Sequence, residues 1–261
     1  MKKNLFLLII GLKILLFNDV NAQDFQAVDV KSYSGFGIPV VASKVKDEQN
    51  QVYRKWWQVA LADAAGTLGG VASGMQICKH WLCALFGGVI GGAGASVAVA
   101  RESALAIHKI DAPVSSRNNY EDAGRLHNEI ISDYYKAFSG NPPGDLFDFV
   151  ILNKSRYGID EIPFSKEQYK SIVEIGKKNY NTIEEAIEKL NEIIPHGIEG
   201  KNEFLETVGK LLRLPDIKEF NEKVLQVEEE FYDTNFLSDS GKLLYQSFFS
   251  VLRHSVNFWG I

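Results

Sequence analysis

Cysteine is nearly missing from this chain: among 261 residues only Cys78 and Cys83 occur. Two cysteines exclude a disulfide-built fold, and with His80 between them they still fall short of the four ligands of a structural zinc site. No H-E-x-x-H, G-x-S-x-G, P-loop or C-x-x-C signature is present, so no familiar hydrolase, nucleotide or thiol-redox site is written here and no metal or cofactor is implied. Sustained alternation of apolar and polar residues is missing too, which excludes a sheet as the main scaffold. An excess of basic residues is also absent. With 28 Lys and Arg against 33 Asp and Glu, the chain lacks the positive surface that nucleic-acid phosphates reward.

What the chain does contain starts with MKKNLFLLIIGLKILLFNDVNA, residues 1–22. Lys2 and Lys3, an apolar centre and a small-residue ending at Ala22 follow the order of a secretory signal peptide. Lys13 breaks the apolar run, unlike a permanent span. Export to the periplasm or beyond is therefore expected. Removal of Lys2, Lys3, Lys13 and Asp19 moves the formal charge from −5 to −7, so any membrane contact must be hydrophobic. In an exported chain, neighbouring Cys78 and Cys83 favour an intrachain disulfide. They would lie too far apart on an unbroken helix, so the bridge implies a turn between them.

Residues 23–46, punctuated by Gly35, Gly37 and Pro39, read as an extended or mobile arm. Residues 47–111 are the unusual part. Between Lys55 and Lys79 the only charge is Asp63, and between Lys79 and Arg101 there is no Asp, Glu, Lys or Arg at all. Each stretch has the length to cross a hydrocarbon layer, which takes about 20 helical residues. Gly66, Gly70 and Gly74 recur every fourth residue in the first arm; Gly87 with Gly91 and Gly88 with Gly92 do so in the second. Such spacing gathers glycines on one helix face, where another backbone can approach closely. Folding the chain back at Lys79 pairs Gly66 with Gly92, Gly70 with Gly88, and Gly74 with Ala84. Trp56 and Trp57, beside Arg54 and Lys55, suit a bilayer interface or the entry of a core helix.

On these seven glycines, the segment from about 56 to 100 resembles the glycine-zipper helices of two-peptide bacteriocins and other membrane-inserting exported proteins. The resemblance implies membrane association or self-association through a helical hairpin. It does not extend to residues 112–261, and the chain has a secretory signal where those bacteriocins carry a double-glycine leader.

Residues 112–261 read as successive amphipathic helices. Asn118 or Asn119 is placed to cap the first, in which Leu126, Ile130, Tyr134 and Phe138 form an apolar stripe. A short apolar helix follows Asn141-Pro142-Pro143-Gly144; Ser165 caps the next, and Thr182 with Glu185 gives a capping-box pattern. The C-terminal Tyr245, Phe248, Phe249, Val251, Leu252, Phe258 and Trp259 are expected in the core. His127, with Asp122, Arg125 and Glu129 nearby, is the densest polar group, read as a helix-flank histidine rather than a general base. Glu228-Glu229-Glu230 reads as a solvated face.

The expected protein is all-α: an antiparallel glycine-zipper hairpin plus a C-terminal multi-helix bundle. Its expected role is non-enzymatic, with the hairpin meeting membrane lipid or a second copy. The alternative is an exported protein-interaction module with the hairpin buried in the bundle; a hydrolase using His127 comes third.

Overall fold

Apolar residues recurring every three to four positions favour helices that pack on one another, and helices are what the chain forms. The computed structural model describes residues 48–77, 80–103, 107, 111–138, 145–159, 162, 164–177 and 180–259, without the side chains of 48–56 and 101–103. The signal peptide, the N-terminal arm, Cys78, His108 and the Trp56 side chain therefore lie outside the described residues. Among those described there is no strand. The helices are α1 (Glu48–Ile77), α2 (Trp81–Ser103), α3 (Asp122–Ala137), α4 (Leu146–Asn153), α5 (Lys166–Gly176), α6 (Ile183–Ile193), α7 (Lys201–Leu212), α8 (Ile217–Thr234) and α9 (Asp239–Trp259). A 3-10 turn, Lys154–Tyr157, extends α4 and ends at Gly158, whose φ of 68° suits a residue without Cβ.

Local chemistry sets several of these boundaries. Ser165 and Gln168 form a reciprocal capping box at the start of α5. At α6 the Thr182 hydroxyl accepts from the Glu185 amide, but the Glu185 carboxylate reaches back one residue further, to the Asn181 amide at 2.9 Å. Asp216 caps α8 by accepting from the Glu219 amide at 2.8 Å. The first helix of the C-terminal region starts later than its asparagines suggest. Asn118 turns inward, donating to Glu228 and to the Gln246 carbonyl, and α3 begins at Asp122 without a side-chain cap.

The most extensive packing is between α1 and α2, and the next is between α1 and α9. α9 also lies on α3, while α5 packs on both α1 and α2. From Val59 to Ala72 every side chain of α1 is buried, where a surface helix would bury a stripe. One apolar cluster joins α1 to α6, α7, α8 and α9 around Phe204, which stacks on Tyr245 at 4.3 Å and meets Phe248 edge-on at 4.9 Å. A second joins α1 and α2 to α3, α4 and α5 through Ile90, Ile130, Tyr134 and Phe147. Burying each such aromatic or aliphatic side chain stabilises the fold by about 1.5–3 kcal/mol. The Gly/Ala-rich helices and the amphipathic helices thus belong to one compact unit.

Two side-chain expectations shift. Leu126 is half-buried, and the deeply buried face of α3 is Ala123, His127, Ile130, Ile131 and Tyr134, so the stripe is centred one residue further on. Glu228 is fully buried rather than part of a solvated acidic face, because Arg253 of α9 waits for it inside.

Candidate functional site

Glycine in a helix forfeits about 1 kcal/mol relative to alanine, so a row of them needs a reason in packing. At α1 and α2 the reason is distance. A Cβ on Gly66 would sit 3.0 Å from the Gly92 Cα; one on Gly70, 2.8 Å from the Gly88 Cα; one on Gly74, 2.5 Å from the Ala84 Cα. The two helices run antiparallel in that register, backbone against backbone. Gly87 and Gly91 lie in the same seam, each with its Cβ position 2.8 Å from a carbonyl oxygen of α1, at Gly70 and Gly66. Gly87 also faces Phe164, and Gly91 faces Ile172 of α5. Gly176 of α5 extends the close packing, its Cβ position 2.6 Å from the Ala62 carbonyl oxygen.

Asp63, the lone charge of the first arm, marks where this hairpin meets the rest of the bundle. It is wholly buried. Its Oδ2 accepts from the Ser255 hydroxyl and, at 3.2 Å, from the Trp259 indole N–H, both on α9. The same indole N–H lies 3.0 Å from Ser96 Oγ of α2. Oδ1 has no hydrogen-bond partner among the described residues. His127 of α3, also wholly buried, brings Nε2 to 3.6 Å from Asp63 Oδ2. Burial raises the Asp63 carboxyl well above its ordinary range, against the hydrogen bonds from Ser255 and Trp259. Burial likewise pushes the His127 imidazole down to about 4, only partly opposed by Asn128 and the Gly92 carbonyl.

A second polar cluster locks α9 to α8 and to the segment before α3. Arg253 is fully buried, with Nε 3.0 Å from Glu228 Oε2, Nη2 2.5 Å from Glu121 Oε2, and Nη1 donating to the Pro113 carbonyl at 2.8 Å. Glu228 Oε1 accepts from Tyr232 at 2.6 Å and from Asn118 at 3.0 Å. Burial raises the Glu228 carboxyl, an effect the adjacent guanidinium opposes. His254 sits at the rim, its Nε2 3.4 Å from Glu121.

No family model, curated protein or solved structure matches the chain. Its function must therefore be read from this geometry alone.

The structure brings Gly66, Gly70, Gly74, Gly87, Gly88, Gly91 and Gly92 into one seam. Trp57 is buried at its N-terminal end. Cys83 lies in the first turn of α2, while Cys78 falls outside the described residues. His127 is not at a helix flank. It stands on the core face of α3 with no exposed surface from which to reach a substrate, and two surface grooves, one around Gly94, Tyr134 and Tyr169, the other around Ile187, Leu205 and Arg213, are lined by neither His127 nor Asp63. Among the described residues no His, Cys, Asp and Glu group is arranged to hold a metal. The Asp63–Ser96–His127–Ser255–Trp259 cluster was missed in the sequence. Its available signal was Asp63 itself, since a single carboxyl inside a long apolar helix needs partners.

Proposed function

We propose that the chain is an exported, non-enzymatic helical protein that works as an interaction module, with the Gly/Ala-rich hairpin as its buried central strut. One observation carries this reading: Asp63, the one carboxyl between Lys55 and Arg101, is bonded to α9, the last helix, so α9 must leave before lipid can cover this face of α1. The outer faces of α6, α7 and α8, rich in Glu and Lys, then remain to meet a protein partner. A net negative charge leaves nucleic acid an unsuitable one. In this reading Cys78 and Cys83 form an intrachain disulfide that closes the turn between α1 and α2.

A second reading, membrane or self-association through the hairpin, has its own support. The stretch Trp81–Ala100 is long and apolar enough to cross a membrane, at a mean hydropathy of 1.9, although 72% of that window is buried inside the protein. Ile77 and Trp81, each 46% exposed, flank the turn. Cell fractionation followed by alkaline carbonate washing separates the two. The buried-strut reading expects the mature chain in the soluble and carbonate-released fractions. Retention in the carbonate-washed membrane pellet would replace it with the membrane reading.

A further inference from the structure

The orientation of Asn128 fixes more than its own contacts. Its Nδ2 donates to the His254 carbonyl at 3.0 Å, which turns Oδ1 toward His127 Nδ1 at 2.9 Å. An amide oxygen only accepts, so Nδ1 carries the imidazole proton and Nε2 of a neutral His127 is a bare lone pair. That lone pair faces Asp63 Oδ2 at 3.6 Å, inside the protein and with neither residue exposed. Two lone pairs so placed repel unless a proton lies between them. We infer that Asp63 and His127 together hold one buried proton through neutral pH, and that its loss on the alkaline side weakens the attachment of the α1–α2 hairpin to α3 and α9.

The surroundings leave that proton little competition. Among the described residues, α2 presents Ser96 and the Gly92 carbonyl to the pair, and α5 meets α1 here through Gly176. α9 presents Ser255 and Trp259, both donors to Oδ2, and His254, whose positive charge when protonated disfavours a second charge on His127. The Arg253 guanidinium is held by Glu121 and Glu228 and has no described contact with Asp63. A deprotonated Asp63 would be a buried carboxylate with Oδ1 unpartnered, and such a charge is strongly destabilising.

The sign follows from proton linkage. Asp63 is raised in the folded chain, so its stabilising effect is full below its unfolded value near 3.8 and is lost as pH rises toward its folded value. His127 is lowered from 6.5 to about 4, so its effect is full above 6.5 and lost as pH falls toward 4. Between about pH 4 and 6.5 the folded pair and the unfolded pair each hold one proton, and the two effects cancel. Above 6.5 the unfolded pair holds none while the folded pair keeps its proton. The unfolding constant then rises up to about tenfold per pH unit until Asp63 ionises.

The test is urea unfolding of the full mature chain from pH 5 to 9, for wild type and Asp63→Asn. The asparagine amide keeps an acceptor for Ser255 and Trp259 and offers a donor to His127 Nε2 that does not titrate. Above pH 7 the wild-type unfolding constant should climb by up to about tenfold per pH unit more than that of Asp63→Asn. Between pH 5 and 6.5 the wild-type profile should be flat in this contribution while the unfolding constant of Asp63→Asn falls as pH rises, because the variant keeps His127 without the compensating Asp63 proton. Because every other titrating group, His127 included, is shared, the difference isolates the proton on Asp63. Nitrogen chemical shifts of the His127 ring in the wild type supply an independent reading and should report the neutral Nδ1–H tautomer from pH 8 to 5. Parallel profiles across the whole range, or an imidazolium signal for His127 at pH 6, would overturn the inference. It concerns the folded chain itself, so it stands or falls apart from whether the hairpin ever meets a membrane.

Discussion

Gly69 and Gly70 are neighbours in α1, and the same methyl group should move stability in opposite directions at the two. Either alanine gains about 1 kcal/mol of helix propensity. At Gly69 the new Cβ would lie 3.5 Å from Ile175 Cδ1 and 3.7 Å from its Cγ2, ordinary van der Waals contact. At Gly70 it would lie 2.6 Å from the Gly87 carbonyl carbon and 2.8 Å from the Gly88 Cα. Those atoms are backbone and cannot rotate away, so α1 and α2 must separate by roughly an ångström, and a gap of that size forfeits a quarter to a half of each dispersion contact along the seam. Overpacking typically costs about 1–3 kcal/mol, and the largest helix contact in the protein puts this case toward the upper end. After the propensity gain, Gly70→Ala should lose about 1–2 kcal/mol and Gly69→Ala should gain somewhat under 1 kcal/mol. At roughly 2–4 °C per kcal/mol for a chain of this size, calorimetry would read the difference as a split of several degrees. If Gly70→Ala melts at or above Gly69→Ala, the close seam is refuted.

Three further outcomes follow from the same packing. Ile130→Ala should cost about 2–5 kcal/mol in urea unfolding, and Leu126→Ala, at a half-buried position, clearly less; equal losses would mean the face of α3 is misplaced. Arg253→Met strands the Glu228 carboxylate in the interior and should cost about 3–5 kcal/mol, much of it restored by adding Glu228→Gln; a fully stable single variant would show the cluster to be solvated. Alkylation of freshly isolated chain without reductant should leave Cys78 and Cys83 unmodified by mass spectrometry, in keeping with a short-loop bridge that stabilises by roughly 2 kcal/mol; two alkylated thiols would remove it.

Helix class was open to sequence reading because periodicity is local, and so was the residue pairing across α1 and α2, since four-residue glycine spacing and one turn determine which residues face each other. Whether lipid or protein covers an apolar hairpin was not, because that depends on α9, whose serine and tryptophan lie 192 and 196 positions from Asp63. Glu228 misled for a related reason. Three consecutive acids look solvated until Arg253 is brought beside the first of them by the α8–α9 packing. On α3 a polar His127 hid the centre of the buried face, so the visible stripe of Leu126, Ile130, Tyr134 and Phe138 was displaced by one position. Its neutral, buried imidazole counts as core only once Asp63 and Asn128 are known to surround it.

Amide hydrogen exchange on the purified mature chain, in detergent-free buffer near pH 6.5, tests the central claim most directly. If the hairpin is the strut of a water-soluble bundle, amides of α1, α2 and α9 exchange slowest and only through global unfolding, while those of α6 and α7 open earlier. Fast exchange in α1 and α2 while α7, α8 and α9 stay protected, or a chain that stays monodisperse only in detergent, would contradict it.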